Sequence, residues 1–458
     1  MNAKTITKTV AQQIGDWAVA TRKRGLPAKT RNEARRLLLD GVGLCVAARN
    51  SKYVADLMAT NIGDGRITAI GHARTLSPYD AAIINGAATH GEDFDDTFEG
   101  GPMHAGASVV PSSLAMAEHR GLDGNAVMHG IAVGMEFACR ASMVSPQAIH
   151  RQGFHPSGVL GALGCAAGTA SMIGLDSDKI ANAIGIAGSF AAGIIEYLSD
   201  GSWTKRFHTG WAAQCGIRAA LLAETGFTGP LSVLEGPHGF YQAFAPSKKA
   251  DFSALLDGLG KEWVLDGIAF KPYACGTMTH PYIDCLLELR AQGVRADDVE
   301  SVVCEVGEGT VHRLWEPIEA KRRVPNGYVA KFSSPYCLAV GFLDGRVGFA
   351  QFTEERAHAA DLIAMADKIS YVIDPNNPYP NEYTGHVRVT LKNGTVKEVR
   401  RPYFRGGAHS PIPEAELVDK YMDNCRFGGW SDERAASLAK TVDNIAAGGA
   451  VDLREARG

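Results

Sequence analysis

Apolar positions recur at helical spacing through most of the first 260 residues. Thr30 to Ala48 carries Leu37, Leu38, Leu39, Val42, Leu44 and Val46 behind an arginine-rich first turn, and Ser77 to Ala88 reads similarly, so both are predicted helices. Gly158 to Ile173 and Ile180 to Ile195 mix glycine with alanine densely enough for helix backbones to approach closely. Buried helices packed face to face are the simplest reading, with a membrane helix as the rival.

The pattern changes near residue 265. Val299 to Val306 and His386 to Leu391 alternate like strands, and the second runs through Lys392-Asn393-Gly394-Thr395, a hairpin turn signal, into Val396 to Val399. Pro335 to Leu343 and Thr353 to Ser370 read as helices, and helical segments return after Pro411 at Glu414 to Asn424 and Asp432 to Ile445. The expected fold is mainly α with an α+β second domain. Its parts are a helical domain over residues 1–268, an α+β domain over 269–405, and a helical return over 406–458 that packs back on the first part. Internal repeats and low-complexity linkers are not seen, and only Gly448 to Gly458 is expected to fray.

Composition narrows the function classes. A chain of 458 residues with 45% apolar and 21% charged residues can bury large cores and lies far from the disordered class. A formal net charge of -4 without long like-charge runs gives no reason to bind nucleic acid. Nine scattered cysteines with no C-x-x-C pair resemble neither a disulfide framework nor a zinc cluster, which points to a reducing compartment. Met1 to Val10 has lysines and threonines but no apolar core, and no uninterrupted apolar stretch is long enough to span a membrane, so the expected location is cytoplasmic.

Four clusters carry candidate chemistry. The first runs from Asn85 to Thr97 and on to Met103-His104-Ala105-Gly106. If Asp93 to Thr97 is helical, Asp93 and Thr97 share one face, and a loop can return His104 over them as an acid/base group. A helix end or solvated face accounts for three close aspartates equally, and a metal site lacks further carboxylates in ligand spacing. The second, Gly153-Phe154-His155-Pro156-Ser157-Gly158, opens the glycine-alanine helix, so His155 stands where unpaired N–H groups attract a carboxylate, or merely caps the helix. The third places Lys205, Arg206 and His208 between Trp203 and Trp211. Cations among tryptophans call for a counter-charge, which a bound polycarboxylate would supply; exposed cations at a helix end are the alternative. In the fourth, Lys271 to Pro281, Lys271 and His280 sit at the expected domain junction, where clefts form, and Cys275 is a nucleophile candidate without an evident base.

These stretches, in this order, resemble the MmgE/PrpD family, which includes 2-methylcitrate dehydratase, cis-aconitate decarboxylase and iminodisuccinate epimerase. Gly226-Phe227-Thr228-Gly229-Pro230 with Leu234-Glu235-Gly236, and Ala330-Lys331-Phe332-Ser333 with Pro335-Tyr336-Cys337, extend the likeness along the chain. The resemblance implies a large all-helical domain built from both chain ends, a smaller α+β lid domain, a homodimer, and an active site between the domains without metal or organic cofactor. It implies site roles for Asp93, Thr97, His104, His155, Lys205 and Lys271, with Tyr336 also a candidate. His104, oriented by Asp93, would exchange a proton beside a carboxylate, Thr97 would position, and Lys205, Lys271 and His155 would hold carboxylates; His208 and His280 join as substrate-binding candidates. The expected activity is a lyase acting on a small di- or tricarboxylic acid, with an epimerase as the alternative. Two departures bear on that choice: the short loop before His104-Ala105-Gly106, where methylcitrate dehydratases carry a longer tryptophan-containing loop, and Gly276, near where animal-type decarboxylases place another histidine.

Overall fold

The computed structural model describes residues 8–101 and 103–458, so the reading of Met1 to Val10 falls largely outside the described residues. Two compact units divide the chain. The first takes the chain up to Gly91, Asp95–Ile268 and Asn424–Gly458; the second takes Glu92–Phe94 and Ala269–Asp423.

The first unit is built on helices α1 (Val10–Arg24), α2 (Ala28–Ala48), α3 (Pro78–His90), α4 (Gly106–Arg120), α5 (Gly124–Val144), α6 (Pro156–Met172), α7 (Ser177–Gly188) and α8 (Thr204–Glu224). Every residue of α6 is buried, and α4, α5, α7 and α8 pack around it. Glycine makes this possible, because the backbones nearly touch. A Cβ added at Gly164 of α6 would lie 2.7 Å from the Gly134 carbonyl oxygen of α5, and one at Gly86 of α3 would lie 2.7 Å from Gly210 Cα of α8. Both distances are too short for a real carbon, so the glycine-alanine composition is a packing requirement. Among the described residues no helix is long and apolar enough to cross a membrane.

Helix α7 stops at Gly188, short of the helix expected through Ile195. The following residues leave the helix because tertiary partners claim their backbone: Gly193 O accepts from His155 N at 2.8 Å, and Ile195 N donates to Gly153 O at 3.0 Å. One charged network also shapes this unit. Glu136 of α5, with a fully buried side chain, accepts from Arg140 Nε at 2.6 Å and from the backbone N–H groups of Val264 and Leu265. Arg140 in turn donates to the carbonyls of Asp257 and Glu262, so one ion pair ties the 257–265 segment to α5.

The second unit holds a four-stranded sheet of β1 (Val299–Val306), β2 (Ile369–Ile373), β3 (Gly385–Leu391) and β4 (Val396–Arg401), in the order β2-β1-β3-β4. β1 pairs parallel with β2 and antiparallel with β3, and the β3–β4 hairpin follows the turn signal in the sequence. Helix α9 (His280–Ala291) packs on β3 and β4, and α10 (Ser334–Asp344) packs on α9. The helix expected over Thr353 to Ser370 is instead two short helices, Glu354–Ala357 and Ala360–Ala366, and Ser370 lies in β2. The run Ile369-Ser370-Tyr371-Val372-Ile373 has strand chemistry, and pairing with β1 decides its conformation.

The fold class is therefore mainly α with an α+β part. The second unit continues past residue 406 to Asp423, taking the greater part of α11 (Glu414–Phe427), which is tied there by the ion pairs of Arg405 with Glu416 and of Arg346 with Asp423. Helix α12 (Asp432–Ala446) packs on α2 and α5. The tail does not fray: Leu453 and Ala456 are buried, Ala456 O accepts from Gly71 N at 2.7 Å, and Arg457 bonds Thr68 and Glu118.

Candidate active site

The stretch after α3 is a loop, so Asp93 to Thr97 is not helical, and Asp93 takes a left-handed φ of 56°. Hydrogen bonds with the start of α4 shape it. Asp96 accepts from Gly106 N at 3.2 Å, a favourable place for a carboxylate at a helix N-terminus, and Phe98 N donates to Met103 O. A side chain at 106 would strike the Asp96 carboxylate, which explains His104-Ala105-Gly106.

His104 is pinned from two sides. Its backbone N–H donates to Ser157 Oγ at 2.9 Å, and its Nδ1 lies 2.7 Å from the Asp96 carbonyl oxygen and 3.0 Å from Thr97 Oγ1. A carbonyl only accepts, so Nδ1 carries the hydrogen and Nε2 keeps the lone pair. The arrangement fixes which nitrogen of His104 can take a proton.

Around His104 the first unit gathers three more imidazoles. His90 ends α3, His155 stands just before Pro156 of α6, and His208 lies on α8. The His90 ring centroid is 5.1 Å from that of His104 and 5.4 Å from that of His155, which in turn is 5.3 Å from that of His208. Tyr197 lies edge-on to His155 and His208. Gly193, at φ 128°, faces the His208 ring so closely that a side chain would crowd it. His155 Nδ1 and His208 Nδ1 are 3.2 Å apart, so one carries the shared hydrogen and the other accepts.

Burial holds His155 well below the ordinary histidine range, helped by positive charge at His90 and Lys205. His208 is pushed down to about 4, again by burial first and then by His90 and Lys205. Both rings are therefore neutral at pH 7. Lys205, in the first turn of α8, is half-buried and supplies the positive charge felt by both. Arg206 stacks its guanidinium over Tyr53 at 4.4 Å and Trp203 at 5.5 Å. The tryptophans are less enclosed than their type suggests: Trp203 is 43% exposed.

The remaining sequence candidates lie in the second unit. Lys271 is buried and its Nζ lies 3.2 Å from Asp93 Oδ2 and 2.9 Å from Asp93 O. His280 donates from Nε2 to Cys275 O at 3.1 Å, and Tyr336 OH donates to Gln351 O at 2.6 Å; both are fully enclosed. Burial raises the Cys275 thiol well above its usual range, which removes it as a nucleophile. Thus His104, Thr97, His155, His208 and Lys205 gather in one unit, and Asp93 and Lys271 pair in the other.

The sequence reading passed over His90 and Asp95. Their side chains are fully buried and joined at 2.7 Å, His90 Nδ1 to Asp95 Oδ2. The signal available was a histidine closing a helix five residues before an aspartate. His90, Asp95 and His104 bring ligand-type atoms within 4.8 Å of one another. A cation there would compete with the Nδ1 hydrogens that His90 and His104 already direct to oxygen acceptors, so the donor set fits a hydrogen-bonded acid/base cluster better than a metal centre.

Comparison with known proteins agrees with this organisation. The MmgE/PrpD N-terminal domain matches residues 12–253 and the MmgE/PrpD C-terminal domain matches residues 273–444. Cis-aconitate decarboxylase of Homo sapiens is 27% identical, over 97% of this chain and 92% of its own. Cis-aconitate decarboxylase of Aspergillus terreus is 26% identical over 96% and 93%, and 2-methylcitrate dehydratase of Escherichia coli (strain K12) is 25% identical over 85% of each. With both domains matched in order along the chain, the protein belongs to the MmgE/PrpD family.

Proposed function

We propose that this protein is a lyase acting on a small di- or tricarboxylic acid, by decarboxylation or dehydration, with proton transfer at a carbon next to a carboxylate. The observation that carries the reading is the fixed tautomer of His104, whose ring lies in a cluster with His155 and His208, two rings held neutral by burial and by the nearby positive charge of Lys205. In a dehydration His104 takes the proton from the carbon beside the carboxylate, the C–O bond breaks, and the hydroxyl leaves as water with a proton donated by Lys205. In a decarboxylation CO2 departs with its bonding pair left on carbon, and protonated His104 returns a proton there. Lys205 and a neutral imidazole N–H of the His155–His208 pair hold carboxylates and balance the developing enolate-like charge, and Thr97 positions His104. Lys271 and its partner Asp93 are assigned to the same chemistry, the lysine as an anion ligand that exchanges Asp93 for a substrate carboxylate.

The relatives named above are decarboxylases and a dehydratase, which favours a lyase; the epimerase alternative finds no support among them. No metal or organic cofactor enters the proposed steps, and turnover is expected to survive exhaustive chelation. We also assign the protein to the cytoplasm, in keeping with nine buried cysteines outside any disulfide, and to a homodimer, in keeping with Ile194, Leu198 and Trp203 exposed along one stretch.

The test is incubation with cis-aconitate and with 2-methylcitrate in D2O, following substrate and product C–H signals by NMR. Loss of CO2 or water is expected with one of them, and His104→Ala is expected to abolish it with an unchanged circular dichroism spectrum. Turnover by His104→Ala at the wild-type rate would refute the assignment.

A further inference from the structure

Four imidazoles in ring contact pose a selection problem. Acid/base work needs one ring that gains and loses a proton near neutrality while its neighbours hold still. At His155 and His208 the dominant influences, burial and neighbouring positive charge, both favour the neutral ring. His104 has a different neighbour. The same Asp95 oxygen that accepts from His90 Nδ1 at 2.7 Å lies 3.9 Å from His104 Nδ1, and the Asp95 side chain is wholly buried.

A buried carboxylate is costly unless a partner holds it. His90 does so, and does little else by hydrogen bonding: its Nε2 is buried and has no hydrogen-bond partner among the described residues. The charged and titratable groups facing His104 in this unit are Asp95, Asp96, His90 and His155, with Lys205 and His208 behind them. The Asp96 carboxylate is engaged by Gly106 N. Asp95 therefore offers negative charge close to the imidazole edge, at a range where opposite charge strongly favours the protonated ring.

We propose that Asp95 is a positioning residue that sets His104 apart from His155 and His208 as a titrating imidazole, with His90 as the clamp that holds the Asp95 carboxylate in place. The proposal rests on the reading of His104 as the proton-transfer group and adds what lets that ring hold a proton where His155 and His208 do not. Its physical content is an energy difference between two protonation states, so it predicts a titration and not only an activity.

The experiment is an NMR titration of the full-length protein labelled in its histidine rings, with His104 and His155 resonances assigned through His104→Gln and His155→Gln, alongside pH profiles of kcat/KM. In the wild type, His104 is expected to titrate at higher pH than His155 and His208, a measurement that needs no folded Asp95 variant. Asp95→Asn is expected to lower the His104 midpoint by roughly one to three pH units and to move the limb of the rate profile that depends on His104 with it. His90→Asn keeps an N–H donor near the place of Nδ1 and is expected to leave that midpoint in place. A wild-type His104 that titrates at or below His155 overturns the proposal, as does an Asp95→Asn protein whose His104 midpoint is unmoved. If His104→Ala keeps its turnover, the functional reading fails, while the titration still decides the part played by Asp95.

Discussion

Ser157 offers a sharp test of how the site is held. Its hydroxyl accepts the His104 backbone N–H at 2.9 Å, and the residue is fully buried in the first turn of α6. Replacing Ser157 with alanine removes one oxygen from a place that bulk water does not reach. The His104 N–H then loses this acceptor, a change worth about 1–3 kcal/mol for a buried donor. For domains of 150–250 residues each kcal/mol moves the melting point by roughly 2–4 °C, so the melt is expected to fall by several degrees. Activity should fall further than stability suggests, because the same bond sets the position of the reacting ring. A displacement of about 1 Å can cost on the order of 100-fold in rate. Thermal melts with steady-state kinetics on whichever of cis-aconitate and 2-methylcitrate is turned over provide the assay, and the expected signature is a drop in kcat with KM little changed. A Ser157→Ala protein that melts and turns over like the wild type would show that His104 is placed by other contacts.

Three further outcomes follow from the first unit. Gly164→Val should destabilise the protein by about 3 kcal/mol, read by urea denaturation, because even its Cβ would lie 2.7 Å from Gly134 O. Glu136→Ala should cost about 3–5 kcal/mol by the same measurement, since it strands buried Arg140 and removes the acceptor for two backbone N–H groups. His129 is pushed down to about 4 by burial and then by Arg22, with its Nε2 2.7 Å from Ser171 Oγ. The unfolded chain, with its histidine near 6.5, binds the extra proton first, so this residue's contribution is whole above pH 6.5 and is lost as pH falls toward 4. The full loss is on the order of 3 kcal/mol, and His129→Gln should flatten the decline of melting temperature over that window; an unchanged slope would count against it.

Much of the helical architecture could be read from the chain because burial leaves a periodic trace. The apolar run of α2 and the glycine-alanine density of α6 each encode a face that must meet another helix. The β3–β4 hairpin was legible from its turn chemistry, since Asn393-Gly394 meets a local demand that needs no tertiary partner. Errors fell where a distant partner overrode local preference. α7 ended early because Gly193 and Ile195 are claimed by backbone hydrogen bonds with His155 and Gly153, and Ile369–Ile373 became a strand because β1 offered it a parallel edge. The tail was ordered by contacts that Leu453, Ala456 and Arg457 make far away in sequence.

The site divides in the same way. Residue types offered His104, His155, Lys205 and His208 as candidates beside plainer structural readings, and it was the family resemblance that implied roles for the first three. Only folding determined that the Asp96 carbonyl fixes the His104 tautomer and that His155 shares a hydrogen with His208. It also joined His90 to Asp95 out of water, a pairing that the five-residue separation permits but does not require. Sequence carries the identities of the charged groups, but proton affinity depends on burial and on neighbours within a few ångströms, and those exist only once the helices have packed.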